Sequence, residues 1–147
     1  MYWTPGWPLA RLDSEGDHAF AGPGPDKEQK LFTVYVIIAA VTIVANAGVA
    51  VADLWPASFV LGNMAEVGVP RSWLTPLGIL KGAGAAGLLL GLLGVRPLGI
   101  AAAVGLVLFF AGALAVHVRT RVFHNIAVPG AFFALAAASA VLAVAAH

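Results

Sequence analysis

The 147-residue sequence contains no cysteine. That excludes structural disulfides, thiolate-held metals and thiol–disulfide redox chemistry within the chain. Charge is nearly as scarce: Asp, Glu, Lys and Arg make up 10% of the residues, where a soluble domain carries about 25%. The formal net charge is +1 and no basic stripe is present, so nucleic acid is not an expected partner. A phosphate-cradling glycine loop, a nucleophile elbow and a metalloprotease helix are all missing, which leaves nucleotide-driven and hydrolytic chemistry without support. No apolar run alternates with period two, as a membrane barrel would require.

What is abundant is apolar surface. Hydrophobic residues form 61% of the chain, more than a one-domain soluble fold of this length is able to bury. Lipid has to cover the remainder. A membrane-crossing helix needs ~20 mostly apolar residues, and four runs meet that length: 31–52, 77–94, 98–118 and 126–146. Backbone groups in lipid must be satisfied within the segment, so these runs are helices. The expected fold is all-α: a four-transmembrane-helix bundle over 31–147, preceded by an irregular tail over 1–30. The tail is rich in Pro and Gly and is not read as a secretory signal, which would begin with a basic segment and a short apolar run. Its Tyr2, Trp3 and Trp7 are ring types that membrane surfaces favour, in a segment otherwise read as mobile.

Breaker residues set the expected ends. Pro76 suits the start of the second span, with Thr75 as its N-cap. Gly94, Arg96 and Pro97 turn the chain into the third, and Pro129 fits the first turn of the fourth. In the one long loop, 53–75, Pro56 opens and Gly68 with Pro70 closes a short interfacial helix. Phe59, Val60, Met64 and Val67 give that helix an apolar face, and Trp55 and Trp73 are placed as interfacial anchors. The GxxxG spacings Gly78/Gly82 and Gly87/Gly91, with Gly105 and Gly112 seven apart, predict close helix contacts.

Four spans put both termini at one end of the bundle. The unusual polar residues then gather at the opposite, distal end: Asn46, Asp53, Glu66, Arg71, Lys81, His117, Arg119, Arg121, His124 and Asn125. Lys81 lies inside the second span, where a lysine is costly and normally faces a partner or a cavity. It is a cation near a helix N-terminus, and Asp53 is an anion at a helix C-terminus. The helix dipole opposes both placements, and pairing relieves both. Glu66 is a second candidate partner. Thr42, Asn46 and Asp53 share one helix face, which should point into the bundle. His117 at the end of the third span is favoured there by the dipole, and it is also a candidate acid–base or ligand contact beside Arg119. His117 and His124 are seven apart with a helix end expected between them, so they are not read as a haem or zinc pair. No metal site and no cofactor is expected.

One stretch, Gly68-Val-Pro-Arg-Ser-Trp-Leu-Thr-Pro-Leu-Gly-Ile-Leu-Lys81, runs on through the Gly/Ala/Leu-rich segment to Leu92. Together with the segment from Leu98 to Ala113 and the ending His117-Val-Arg119, it resembles the DoxX-like family of small bacterial integral membrane proteins. The resemblance covers about 31 to the C-terminus. It implies a four-helix membrane bundle in a bacterial cytoplasmic membrane. The family name comes from a subunit tied to thiosulfate:quinone oxidoreduction, and many members have no assigned role. Without cysteine or a haem pair, this chain does not look like a self-contained electron carrier.

The leading functional expectation is an accessory or ligand-binding bundle. It would hold a lipid, a quinone-like or other apolar small molecule, or a membrane partner subunit or second copy. Asn46, Asp53, Glu66, Lys81, His117 and Arg119 would read the polar end of what is bound. The alternative is a cofactor-free membrane enzyme of the isomerase or cyclase type. There Asp53 or His117 would act as base and Lys81 as electrostatic stabiliser. Transport ranks third, because one such bundle offers little polar lining for a pathway. Basic residues do not decide orientation: Lys27, Lys30 and Arg96 stand at the terminal end, and Arg71, Arg119 and Arg121 at the distal end. Cytoplasmic termini are expected, since a charged tail without a signal would otherwise have to be translocated.

Overall fold

A computed structural model describes residues 24–146. Among them it shows five α-helices and no strand: α1 (Pro25–Leu54), α2 (Ser58–Glu66), α3 (Leu74–Leu92), α4 (Arg96–Thr120) and α5 (Ala127–Ala145), with a 3₁₀ turn at Arg71–Trp73. Four helical stretches, counting the 3₁₀ turn with α3, are long and apolar enough to cross a membrane, and the short α2 lies between the first two. Residues 1–23, which include Tyr2, Trp3 and Trp7, lie outside the described residues.

Helix α1 packs on α3 and α5, α3 on α4, and α4 on α5, so the four long helices close a ring in the order α1–α3–α4–α5. Successive neighbours run antiparallel, as in an up-down bundle. Outward positions such as Val44, Leu108 and Val141 are exposed and apolar, which suits lipid rather than water. Inside, α1 buries Tyr35, Ala39, Thr42, Asn46, Ala50 and Asp53, a single stripe at helical spacing. The Thr42 and Ser139 hydroxyls meet at 3.0 Å and tie α1 to α5.

Two expected helix starts shift. Helix α1 begins at Pro25, inside the stretch read as tail. Its 30 residues rise about 45 Å, against ~30 Å of hydrocarbon. The apolar run therefore marks only the part in lipid, and the helix projects beyond it carrying Asp26, Lys27, Glu28 and Lys30. The acidic pair in that first turn agrees with the dipole. Helix α3 begins at Leu74 rather than after Thr75, with Trp73 at the N-cap position and no side-chain cap. Pro76 still falls in the first turn, where a missing N–H leaves no intrahelical bond unmade.

The ends of α2, α3 and α4 use one device. After α2, Gly68 N–H reaches Ala65 O and Val69 N–H reaches Met64 O; after α3, Gly94 and Val95 repeat the pattern on Gly91 and Leu90. These are Schellman closures, and Gly68 (φ 68°) and Gly94 (φ 108°) supply the left-handed residue each one needs. After α4 the same closure is made by Arg121 at φ 59°.

Close approach is confined to particular glycines. Gly91 and Gly99 bring α3 and α4 so near that a Cβ on Gly91 would lie 2.5 Å from Gly99 Cα. Gly87 and Gly84 likewise face Ala102 and Leu106 of α4, whereas Gly78 faces Asp53 and Ala50 of α1. The expectation of close contact fails for Gly105 and Gly112, which have nothing within 4 Å of a built Cβ. Their spacing placed both on one face of α4, but it did not say whether another helix meets that face.

Candidate functional site

At the distal end the four helices part, and α2 lies across the gap. Val60, Met64 and Val67 on its inner side are buried, and Val60 and Met64 form a small core with Leu74. Phe59, expected on the same apolar face, is exposed instead, as are Trp55 and Trp73. Polar contacts hold α2 to the α4–α5 loop. Asn125 Nδ2 donates to Asn63 Oδ1 and, at 3.4 Å, to Glu66 Oε2. His124 Nε2 stands 2.9 Å from Glu66 Oε2.

Under α2 is a cavity of about 800 Å³. That is within the range of small-molecule sites. Its walls are mostly apolar, with Leu77, Phe109, Phe110, Val116 and Phe132 contributed by α3, α4 and α5. The rim includes the exposed Phe59, Trp73 and Val128, so the cavity opens outward. Besides the indole N–H of Trp73 at the rim, five side chains with polar atoms line it: Asp53, Asn63, Lys81, His117 and Asn125.

Lys81 and Asp53 are the charged pair of this cavity. Lys81 Nζ donates to Asp53 Oδ2 at 2.6 Å, with 2% of the Asp53 side chain and 13% of the Lys81 side chain exposed. Lys81 sits seven residues into α3, about 10 Å along it. Its ammonium also lies 5.4 Å from the centre of the Phe109 ring, within cation–π range. Gly78, one turn before Lys81, is what lets α3 approach the Asp53 end of α1.

His117 is buried in the last turn of α4. Its Nδ1 is 2.8 Å from Ala113 O, and its Nε2 is buried with no hydrogen-bond partner. Asn125 Oδ1 is also buried and without a partner.

Three of the six expected site residues, Asp53, Lys81 and His117, line this cavity. The other three do not. Asn46 is wholly buried deeper in the bundle, where its Nδ2 donates to Thr42 O. Glu66 ends α2 and holds His124 and Asn125 from outside the cavity. Arg119 is exposed beyond the end of the α4 wall. Sequence reasoning did not single out Asn63 or Phe109. A phenylalanine in an apolar span carries no mark that separates a cavity wall from a lipid face.

Fold and surface together define an integral membrane protein: a four-helix bundle with a cavity at one end. The sequence profile of the DoxX-like family matches residues 37–139, and the chain belongs to that family. Neither the curated proteins nor the solved structures yield a match.

Proposed function

We propose that this protein binds an apolar small molecule, lipid-like or quinone-like, in the cavity under α2. The observation that carries this reading is a mostly apolar cavity of about 800 Å³ in which a paired lysine and a buried histidine are the strongest polar features. Apolar walls with a few converging polar groups are the usual build of such sites. Asp53 and Lys81 shape the polar end of the site, and His117 contacts the bound molecule. In a bacterial cytoplasmic membrane with cytoplasmic termini, the cavity opens toward the opposite face.

The experiment is gentle extraction followed by intact mass measurement of the protein with whatever it carries, alongside Lys81→Met. A bound small molecule that is lost or reduced in the variant supports the reading. Empty protein in both samples, with a partner chain or a second copy retained, favours the accessory-subunit role instead.

A second reading, a cofactor-free isomerase or cyclase, draws on the unpartnered Nε2 of His117, a residue that lines the same cavity as Lys81. Asp53 is engaged by Lys81, which leaves His117 as the base. Release of a molecule in a form isomeric with the one taken up, abolished in His117→Phe, would favour this reading over simple binding.

A further inference from the structure

Two buried polar atoms of the residues lining the cavity have no partner: His117 Nε2 and Asn125 Oδ1. Their hydrogen-bonding character is set by what the rest of each side chain does. His117 Nδ1 faces the Ala113 carbonyl oxygen at 2.8 Å. A carbonyl only accepts, so Nδ1 carries the proton. In that neutral tautomer the other ring nitrogen, Nε2, has a bare lone pair. The Asn125 amide is oriented by Glu66, whose carboxylate also only accepts. Nδ2 is the atom that faces Glu66 Oε2 and Asn63 Oδ1, which leaves Oδ1 as the unused atom. Both orphan atoms are therefore acceptors.

Neither the charged pair nor the Asn63 side-chain carbonyl is orphaned. Asp53 holds Lys81, and Asn63 accepts from Asn125. A buried acceptor left unpaired is costly, so the molecule that fits this cavity brings a donor. A cationic amine would meet the Lys81 ammonium in the same space. A hydroxyl has no such conflict, since its oxygen is an acceptor for an ammonium.

From this geometry we infer that the cavity selects an apolar alcohol or phenol, with the hydroxyl donating to His117 Nε2. The inference rests on the apolar-ligand reading above and narrows it to a hydrogen-bond donor. Phe109, Phe110 and Phe132 on the inner walls, with Phe59 at the rim, make a phenol a well-matched probe.

The test uses the full-length protein in lipid nanodiscs, with para-hexylphenol and para-hexylanisole as probes. The two share an apolar body, but the methyl ether has no proton to donate. Binding is measured by equilibrium dialysis against empty nanodiscs. One neutral hydrogen bond is worth about a factor of ten in affinity. The phenol should therefore bind about ten times tighter than the ether to the wild type, and within about threefold of it to His117→Phe. A second readout needs no folded variant. In protein labelled with ¹⁵N-histidine, the Nε2 resonance of His117 should move when the phenol is added and stay in place with the ether.

Equal binding of both probes to the wild type, with no change at Nε2, overturns the donor inference and leaves the apolar cavity standing. Preference for the ether also overturns it, because the ring would then be donating. Binding of neither probe overturns the cavity reading and this inference with it.

Discussion

The Asp53 carboxylate and the Lys81 ammonium meet at 2.6 Å, Asp53 at the helix end its charge should avoid and Lys81 two turns inside its span. Asp53 stands one residue from the C-terminus of α1, and Lys81 lies in the N-terminal half of α3. The helix dipole disfavours the Asp53 position, and burial in the bundle adds a desolvation penalty to each charge. The pair persists because each charge removes the other's problem. Gly78 brings the two backbones close enough for the short Asp53 side chain to reach.

Lys81→Met should therefore destabilise the bundle by about 3 kcal/mol, because it strands the buried Asp53 charge. Asp53→Asn should destabilise by a smaller amount, since Lys81 keeps partial exposure and the Phe109 ring. The double variant should recover much of the loss, giving a coupling energy above about 1 kcal/mol. Reversible unfolding in mixed micelles measures all four proteins. Additive losses would mean the two charges do not act as a pair.

The α3–α4 crossing gives a sharp contrast between glycines. A methyl group on Gly91 would meet the backbone of Gly99, which has no flexible side chain to move aside. Gly91→Ala should cost about 2 kcal/mol, in the range for overpacking. Gly105→Ala, with open space around the built Cβ, should be neutral or slightly stabilising through better helix propensity. The same unfolding measurement tests both. Equal effects would show that the crossing relaxes freely.

Much of this architecture was legible in the sequence, for specific reasons. The stripe through Thr42, Asn46 and Asp53 identified the inner face of α1, because helical spacing fixes which side chains share a face. A lysine inside a span and an aspartate at a helix end of the same membrane side marked Lys81 and Asp53 as candidate partners, with Glu66 the second candidate for Lys81. Depth was not legible. Asn46 shares its face with Asp53, yet it lies two turns further in, near the level where Thr42 and Ser139 join α1 to α5 and the cavity has ended. Glu66 and Arg119 cluster with the site in sequence terms because they belong to the same membrane end. Which end a residue occupies does not determine whether it points inward. Asn63 was invisible for a related reason: its role depends on Asn125, 62 positions away.

Arg121 closes α4 in the left-handed region that glycine occupies after α2 and α3. A non-glycine residue there carries roughly 1 kcal/mol of strain. Arg121→Gly should therefore stabilise the protein by up to about 0.5 kcal/mol, the gain being trimmed by the greater freedom of glycine in the unfolded chain. Arg119→Gly, inside the helix and equally exposed, should do the opposite and cost about 1 kcal/mol. Opposite shifts in unfolding midpoint for two arginines two positions apart would isolate the backbone effect from the shared loss of charge.

Helix α2 lies over the cavity and is held at its edge by polar contacts. Its polar ties are Asn63 to Asn125 and Glu66 to His124, and all four residues lie in α2 or the α4–α5 loop. Met64, between the two α2 ties, is buried against Leu74 and lines the cavity. Because the chain has no cysteine, Met64→Cys provides a single thiol reporter beneath α2. Its reaction with a small maleimide should be slow with the ties intact. Adding Asn125→Ala removes contacts to both Asn63 and Glu66, worth about 1 kcal/mol together after the competition with water. If α2 must lift for the thiol to react, the labelling rate should rise about fivefold, with the bundle's unfolding midpoint nearly unchanged. An unchanged rate would locate the restraint elsewhere, in the apolar contacts of Val60 and Met64 with Leu74, and α2 would then be a fixed wall of the cavity rather than a cover held by its polar edge.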